Sequence, residues 1–234
     1  MPITATPDHV AVAVPSIERA GTRWHEQLGG AWCSPKDAEG PDFATQQLRY
    51  RGGAVVELLE PTDTHGFAAG FVARFGARVH HVTLKVPHLP DAIATIEAAG
   101  YDVVDVDMSF DLWHEAFLRP SQVGGIIVQV ARTTLTTDQW AARRGMDPEP
   151  VPVSGPRLLG PTLFHPDLDA CTRVWETLGG QVDKGAEAVQ VVWDSGPLTV
   201  EVQAGPLADP VLRFADAPEL AADRELGPAT VAVG

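Results

Sequence analysis

The chain has 234 residues, 44% hydrophobic and 21% charged, a globular composition long enough for one sizeable or two small domains and able to bury a core without disulfide staples. Its formal net charge of -14 argues against nucleic acid or an anionic membrane surface as a general partner, and no apolar run approaches the ~20 residues that cross a bilayer. Cys33 and Cys171 lie far apart and form no CxxC pair, so neither a zinc knuckle nor a disulfide framework is indicated and a cytoplasmic location is expected. The opening MPITATPDHV lacks the basic-then-apolar layout of a signal peptide.

In chain order, residues 8–14 (DHVAVAV) alternate as a half-buried strand does. Ile17, Ala20, Trp24 and Leu28 follow at helical spacing, with Ser16 as N-cap and Gly29-Gly30 as the stop. Strand-like runs come next near 31–34, 43–50 and 54–60, closed by Pro61. Residues 67–75 read as a short linking helix. The pattern then restarts. A strand at 79–86 (VHHVTLKV) precedes a helix carrying Leu89, Ile93, Ile96 and Ala99, then strand-like runs at 102–107, 113–118 and 125–131. A helix near 137–145 and the proline-rich 148–157 separate a fainter third copy, in which LLGPTLF, a helix bearing Leu168, Cys171, Trp175 and Leu178, AVQVVWD and LTVEVQ follow in turn. The tail beyond about 205 reads as irregular apart from a strand TVAV at 230–233.

Each copy is strand-helix-strand-strand-strand, and one such sheet cannot bury both faces alone. The expected class is therefore α+β: paired βαβββ modules forming a cupped mixed sheet, plus a degenerate third module. The expected domains are 1–147, a linker at 148–157, and 158–234.

Strand parity picks out the chemistry, because alternate side chains face opposite ways. Val10, Val12 and Val14 take one face of the first strand and His9 the other. Val82, Leu84 and Val86 take one face of the equivalent strand, and His81, Thr83 and Lys85 the other. Glu57 and Gln129 hold matching places in the last strands of the two copies. Two imidazoles, a carboxylate and an amide oxygen suit one divalent ion (Mn, Fe, Co, Ni or Zn) with room for a chelating substrate. In the third copy Gly160 stands where the histidine would be, and Glu201 lacks an imidazole partner. That copy reads as a metal-free structural module.

The blocks DHVAVAV, VVELLEP, FVARFGARVHHVTLKV and AFLRPSQVGGIIVQV, in order over residues 8–132, resemble the vicinal-oxygen-chelate (glyoxalase/bleomycin-resistance/extradiol dioxygenase) superfamily, and within it the methylmalonyl-CoA epimerases. The resemblance implies paired βαβββ modules around one metal held by His9, Glu57, His81 and Gln129. It departs from the epimerases in the order of Glu and Gln, and in placing Thr45 where they carry a catalytic glutamate. Glu115, at the corresponding place in the second copy, is the expected proton-transfer residue. Trp113 and Phe117 share its parity and are expected, with Thr45 and Arg119, to line the substrate site. His80 and His114 fall on the other face and read as structural.

These readings lead to a metal-dependent isomerase, epimerase or lyase. Its small-molecule substrate would chelate the ion through two oxygens, and the ion would act as a Lewis acid toward an enolate-like intermediate. Two other readings stay open: a non-haem Fe(II) dioxygenase using His9, His81 and Glu57, and a non-catalytic protein that sequesters a small aromatic molecule. Nucleic acid and membrane are not expected partners, and a homodimer is compatible with the sequence.

Overall fold

A computed structural model describes residues 1–38 and 42–233. The first module runs β1 (Thr6–Ala13), α1 (Ile17–Gly21), β2 (Ala31–Trp32), β3 (Asp37–Ala38), β4 (Phe43–Arg49) and β5 (Val55–Pro61). The Ser16 hydroxyl accepts from the Arg19 N–H at 3.3 Å and caps α1. The helix continues as a wider π-helical stretch over Thr22–Gln27, and Gly29, at φ 68, lets the chain turn away. Ile17, Ala20, Trp24 and Leu28 are all buried, as their spacing requires. So are Ala11 and Ala13, so β1 is covered on both faces beyond His9. Helix α2 (Phe67–Phe75) follows, and its Ala68 packs with Ala13 and Leu59.

The second module comprises β6 (Arg78–Lys85), α3 (Leu89–Ala98), β7 (Val104–Phe110), β8 (Trp113–Leu118), α4 (Pro120–Val123) and β9 (Ile127–Arg132). Helix α5 (Thr137–Arg143) is closed by a capping box between Thr136 and Gln139. The third module is β10 (Arg157–His165), α6 (Leu168–Thr177), β11 (Gln181–Lys184), β12 (Ala188–Val192) and β13 (Val200–Ala204). The tail is more regular than its sequence suggests. Residues expected to be irregular form β14 (Val211–Ala215), which pairs in parallel with β15 (Thr230–Val233). The expected strand at 230–233 is present, whereas Val211–Ala215 is not distinctive alone and is fixed by its ladders to β10 and β15. No helix among the described residues is long and apolar enough to cross a membrane.

Two mixed sheets result. One has the order β2-β4-β5-β1-β6-β9-β8-β7, with β3 on β4; the other is β11-β12-β13-β10-β14-β15. In modules two and three the first and last strands pair in parallel, with Thr83 opposite Gln129 and Thr162 opposite Glu201. The last two strands of each module pair antiparallel, setting Gln47 opposite Glu57, Phe117 opposite Gln129, and Gln190 opposite Glu201. The repeat read from the sequence is thus a repeat of register, and β14–β15 repeats its first-to-last strand pair once more.

By packing density the chain falls into two compact units. One is Met1–His9 with His81–Thr134 and Gly160–Pro210, the other Val10–His80 with Leu135–Leu159 and Val211–Gly234. In the first, α6 packs against α4 and its own strands, and the Ile3 N–H donates to the Thr177 carbonyl at 3.0 Å. In the second, the tail wraps the first helix. The buried Arg23 guanidinium donates to the carbonyls of Gly227, Pro228 and Ala221, and the Trp24 indole N–H to that of Leu226 at 2.7 Å.

Candidate metal centre

The strand order β5-β1-β6-β9 brings the four expected ligand positions onto adjacent strands: Glu57, His9, His81 and Gln129. One ligand atom from each of His9, Glu57 and His81 lies within 4.8 Å of the other two. His9 and His81 are 2% and 5% exposed. Glu57 is half-buried, and its Oε2 accepts from Gln47 Nε2 across the β4–β5 register at 3.0 Å. Two imidazoles and a carboxylate this close are a donor set that suits a borderline divalent cation.

Around His9 and Gln129 the side chains close into a ring. Asp8 Oδ2 accepts from His9 Nδ1 at 2.8 Å, and Asp8 Oδ1 pairs with Lys85 Nζ at 2.6 Å. Burial alone would raise the Asp8 carboxyl, but the His9 hydrogen bond and the two neighbouring positive charges outweigh it and hold it at about 2. The Lys85 ammonium sits 5.8 Å from the centre of the Trp113 ring, within cation–π range. Trp113 Nε1 and Gln129 Nε2 both donate to Glu115 Oε2, each at 2.7 Å. Thr83 Oγ1 completes the circuit. It donates to Gln129 Oε1 at 2.5 Å and contacts His9 Nε2 at 2.9 Å. With Nδ1 committed to Asp8, a cation reaching His9 does so at Nε2, in exchange for Thr83.

The remaining expected residues divide clearly. Phe117 faces Gln129 across the β8–β9 register and shares the face of Glu115. Thr45 is buried on β4 opposite Leu59, two residues before Gln47, as Glu115 stands two before Phe117. The registers therefore place Thr45 and Glu115 at equivalent points of two modules. Arg119 is exposed at the start of α4 and does not join the ring. His80 is buried against Phe71, ring centroids 4.7 Å apart, and burial lowers its pKa to about 4.

Three members of the ring were not singled out by the sequence. Thr83 and Lys85 shared the face of His81 and were legible there. Asp8 was not, because neighbouring residues on a strand point opposite ways.

In the third module the register puts Gly160 at the position equivalent to His81. Gly160 holds φ +128, and a Cβ added there would overlap the Thr199 carbonyl oxygen. No histidine fits. Glu201 instead accepts from Gln203 at 2.7 Å, from Thr162 at 3.3 Å and from Gln190.

Residues 8–117 match the profile of the Glyoxalase/Bleomycin resistance protein/Dioxygenase superfamily. The bovine mitochondrial methylmalonyl-CoA epimerase is 27% identical over 127 residues, covering 53% of this chain and 71% of the epimerase. Among solved structures, a hypothetical protein from Staphylococcus aureus aligns with a TM-score of 0.67 at 8% identity, over 98% of this chain and all of that one. A mutant 4-hydroxymandelate synthase from Streptomyces coelicolor aligns at 0.57 and 15% identity, over 92% of this chain and 71% of its own. At these identities the structures share the fold.

Proposed function

We propose that the chain is a divalent-metal-dependent enzyme of the isomerase, epimerase or lyase type, with His9, Glu57 and His81 as protein ligands and Gln129 at the fourth ligand position. The observation that carries this reading is the approach of the three ligand atoms to within 4.8 Å of one another. The bound ion would supply Lewis-acid polarisation of a carbonyl oxygen. The substrate is a small molecule with two neighbouring oxygens, a carbonyl beside a hydroxyl or carboxylate. Glu115 moves the proton on the carbon next to that carbonyl. Trp113 and Gln129 aim its carboxylate, so the geometry of the base does not depend on the substrate. Trp113 and Phe117 give the same face its apolar wall, with Thr45 and Arg119 as further substrate contacts. The work belongs to residues 1–147, with 158–234, beyond the linker 148–157, as metal-free support. A reducing cytoplasm agrees with Cys33 and Cys171, which are buried and not disulfide-bonded.

The test combines elemental analysis of the purified protein with proton exchange in deuterated water, using a panel of 2-hydroxy ketones, 2-keto acids and malonyl-type thioesters. The expected result is one bound transition metal and exchange at the α-carbon that falls roughly a hundredfold or more in Glu115→Gln while the metal stays. Full exchange in Glu115→Gln with metal bound removes Glu115 from the role.

A second reading has its own support. Gln129 Oε1 is already engaged by Thr83, which leaves two histidines and one carboxylate, the ligand set of non-haem Fe(II) oxygenases. Oxygen consumption that requires ferrous iron and persists in Glu115→Gln would favour it.

A further inference from the structure

The Asp8 carboxylate has two partners, His9 Nδ1 at 2.8 Å and Lys85 Nζ at 2.6 Å. Its side chain is 20% exposed and that of Lys85 23%. An ionised carboxylate only accepts hydrogen bonds, so the atom facing it on the ring carries the proton. That fixes the rotation of the His9 imidazole and, in the neutral form a cation needs, its tautomer. Without the carboxylate the ring could put its proton on Nε2, or turn over and present the wrong nitrogen. Removing a charged pair from water carries a desolvation cost that packing alone would not require here.

We propose that Asp8 is the positioning residue of the metal centre, and that Lys85 holds Asp8 in place for it. This rests on the reading of His9, Glu57 and His81 as a cation site. Asp8 does not touch the cation. It acts through His9, by keeping Nδ1 engaged, so that the nitrogen a cation takes in exchange for Thr83 is Nε2. Lys85 sits one step further out, anchored over Trp113, and acts by keeping the Asp8 carboxylate turned toward the imidazole. Carboxylates that hold a metal-ligating histidine in this way change metal affinity by about 10–100-fold in general.

The experiment uses the full chain stripped with chelator and titrated with Zn2+ and Co2+ by calorimetry. The Co2+ absorption spectrum and the 15N shifts of the His9 imidazole are read in the same samples. Wild type is expected to bind one equivalent, with His9 as the Nδ1–H tautomer. Asp8→Asn should bind about 10–100-fold more weakly, with an altered Co2+ spectrum and a mixed tautomer, while the urea midpoint of the metal-free protein changes little. Asp8→Glu should recover part of the affinity. Lys85→Met, which touches no ligand, should move affinity and spectrum in the same direction by less, and it carries the test if Asp8→Asn does not fold. Metal binding in wild type with unchanged affinity, spectrum and tautomer in Asp8→Asn overturns the proposal and leaves the metal site standing. So does unchanged binding in Lys85→Met where Asp8→Asn is unfolded. No cation bound by wild type overturns the metal site and this inference together.

Discussion

The imidazoles of His9 and His81 stand edge to face, ring centroids 5.6 Å apart and planes inclined at 68°. They come from equivalent strands of two modules, and neither ring lies flat on the other. The edge-to-face contact sets the two rings side by side at the candidate cation site. His9→Ala or His81→Ala should abolish Co2+ binding, read by absorption titration. His80→Ala, whose ring lies against Phe71 in the apolar layer, should leave it measurable.

Gly160→Ala should destabilise the protein by about 2 kcal/mol or more, because it adds a clash with the Thr199 carbonyl to an unfavourable backbone conformation. Urea unfolding measures this. Gly160→His should not create a second equivalent of bound metal, since the backbone that would carry the ring cannot accept a Cβ.

Arg23 is 6% exposed and donates to three carbonyls of the tail. Arg23→Leu leaves those carbonyls short of a donor and should cost roughly 2–4 kcal/mol. Limited proteolysis should then cut within 216–229 well before it does in wild type. An unchanged digestion pattern would mean that the Trp24–Leu226 hydrogen bond and the β14–β15 ladder hold the tail without Arg23.

His80 gives the acid limb of stability. Burial lowers its pKa from 6.5 to about 4, so the folded state favours the neutral ring. A depressed folded-state value means the contribution is fully present above pH 6.5 and is lost as the pH falls toward 4. The loss is on the order of 3 kcal/mol by pH 4. In chelator, the urea midpoint of wild type should fall over that window, and that of His80→Phe should fall by less.

Much of this was legible in the sequence because the chain repeats itself. Alternation along DHVAVAV and VHHVTLKV put His9 and His81 on the same face of equivalent strands, and Gly29-Gly30 and Pro61 marked where elements end. The registers pairing Gln47 with Glu57 and Phe117 with Gln129 follow from that duplication. What escaped depends on partners distant in sequence. Residues 211–215 become a strand through ladders to β10 and to 230–233, and their five-residue pattern is too short to stand out. The π-helical stretch over Thr22–Gln27 leaves the buried spacing of Trp24 and Leu28 intact, so periodicity does not reveal it. Asp8 escaped for a different reason. Parity assigns it the face opposite His9, and only the turn of its side chain toward the His9 ring and Lys85 gives it a place at the site.

The circuit from His9 through Asp8, Lys85, Trp113, Glu115, Gln129 and Thr83 back to His9 has two arcs between the first imidazole and the carboxylate. Severing either arc leaves the other tethering both ends. Single truncations at Lys85 or Thr83 should therefore understate how strongly the two ends are held. The double truncation should lose more than the two singles combined, a non-additivity that residues on an open chain would not show. Redundancy of this kind lets individual positions drift while the relation between the nitrogen at one end and the oxygen at the other is kept.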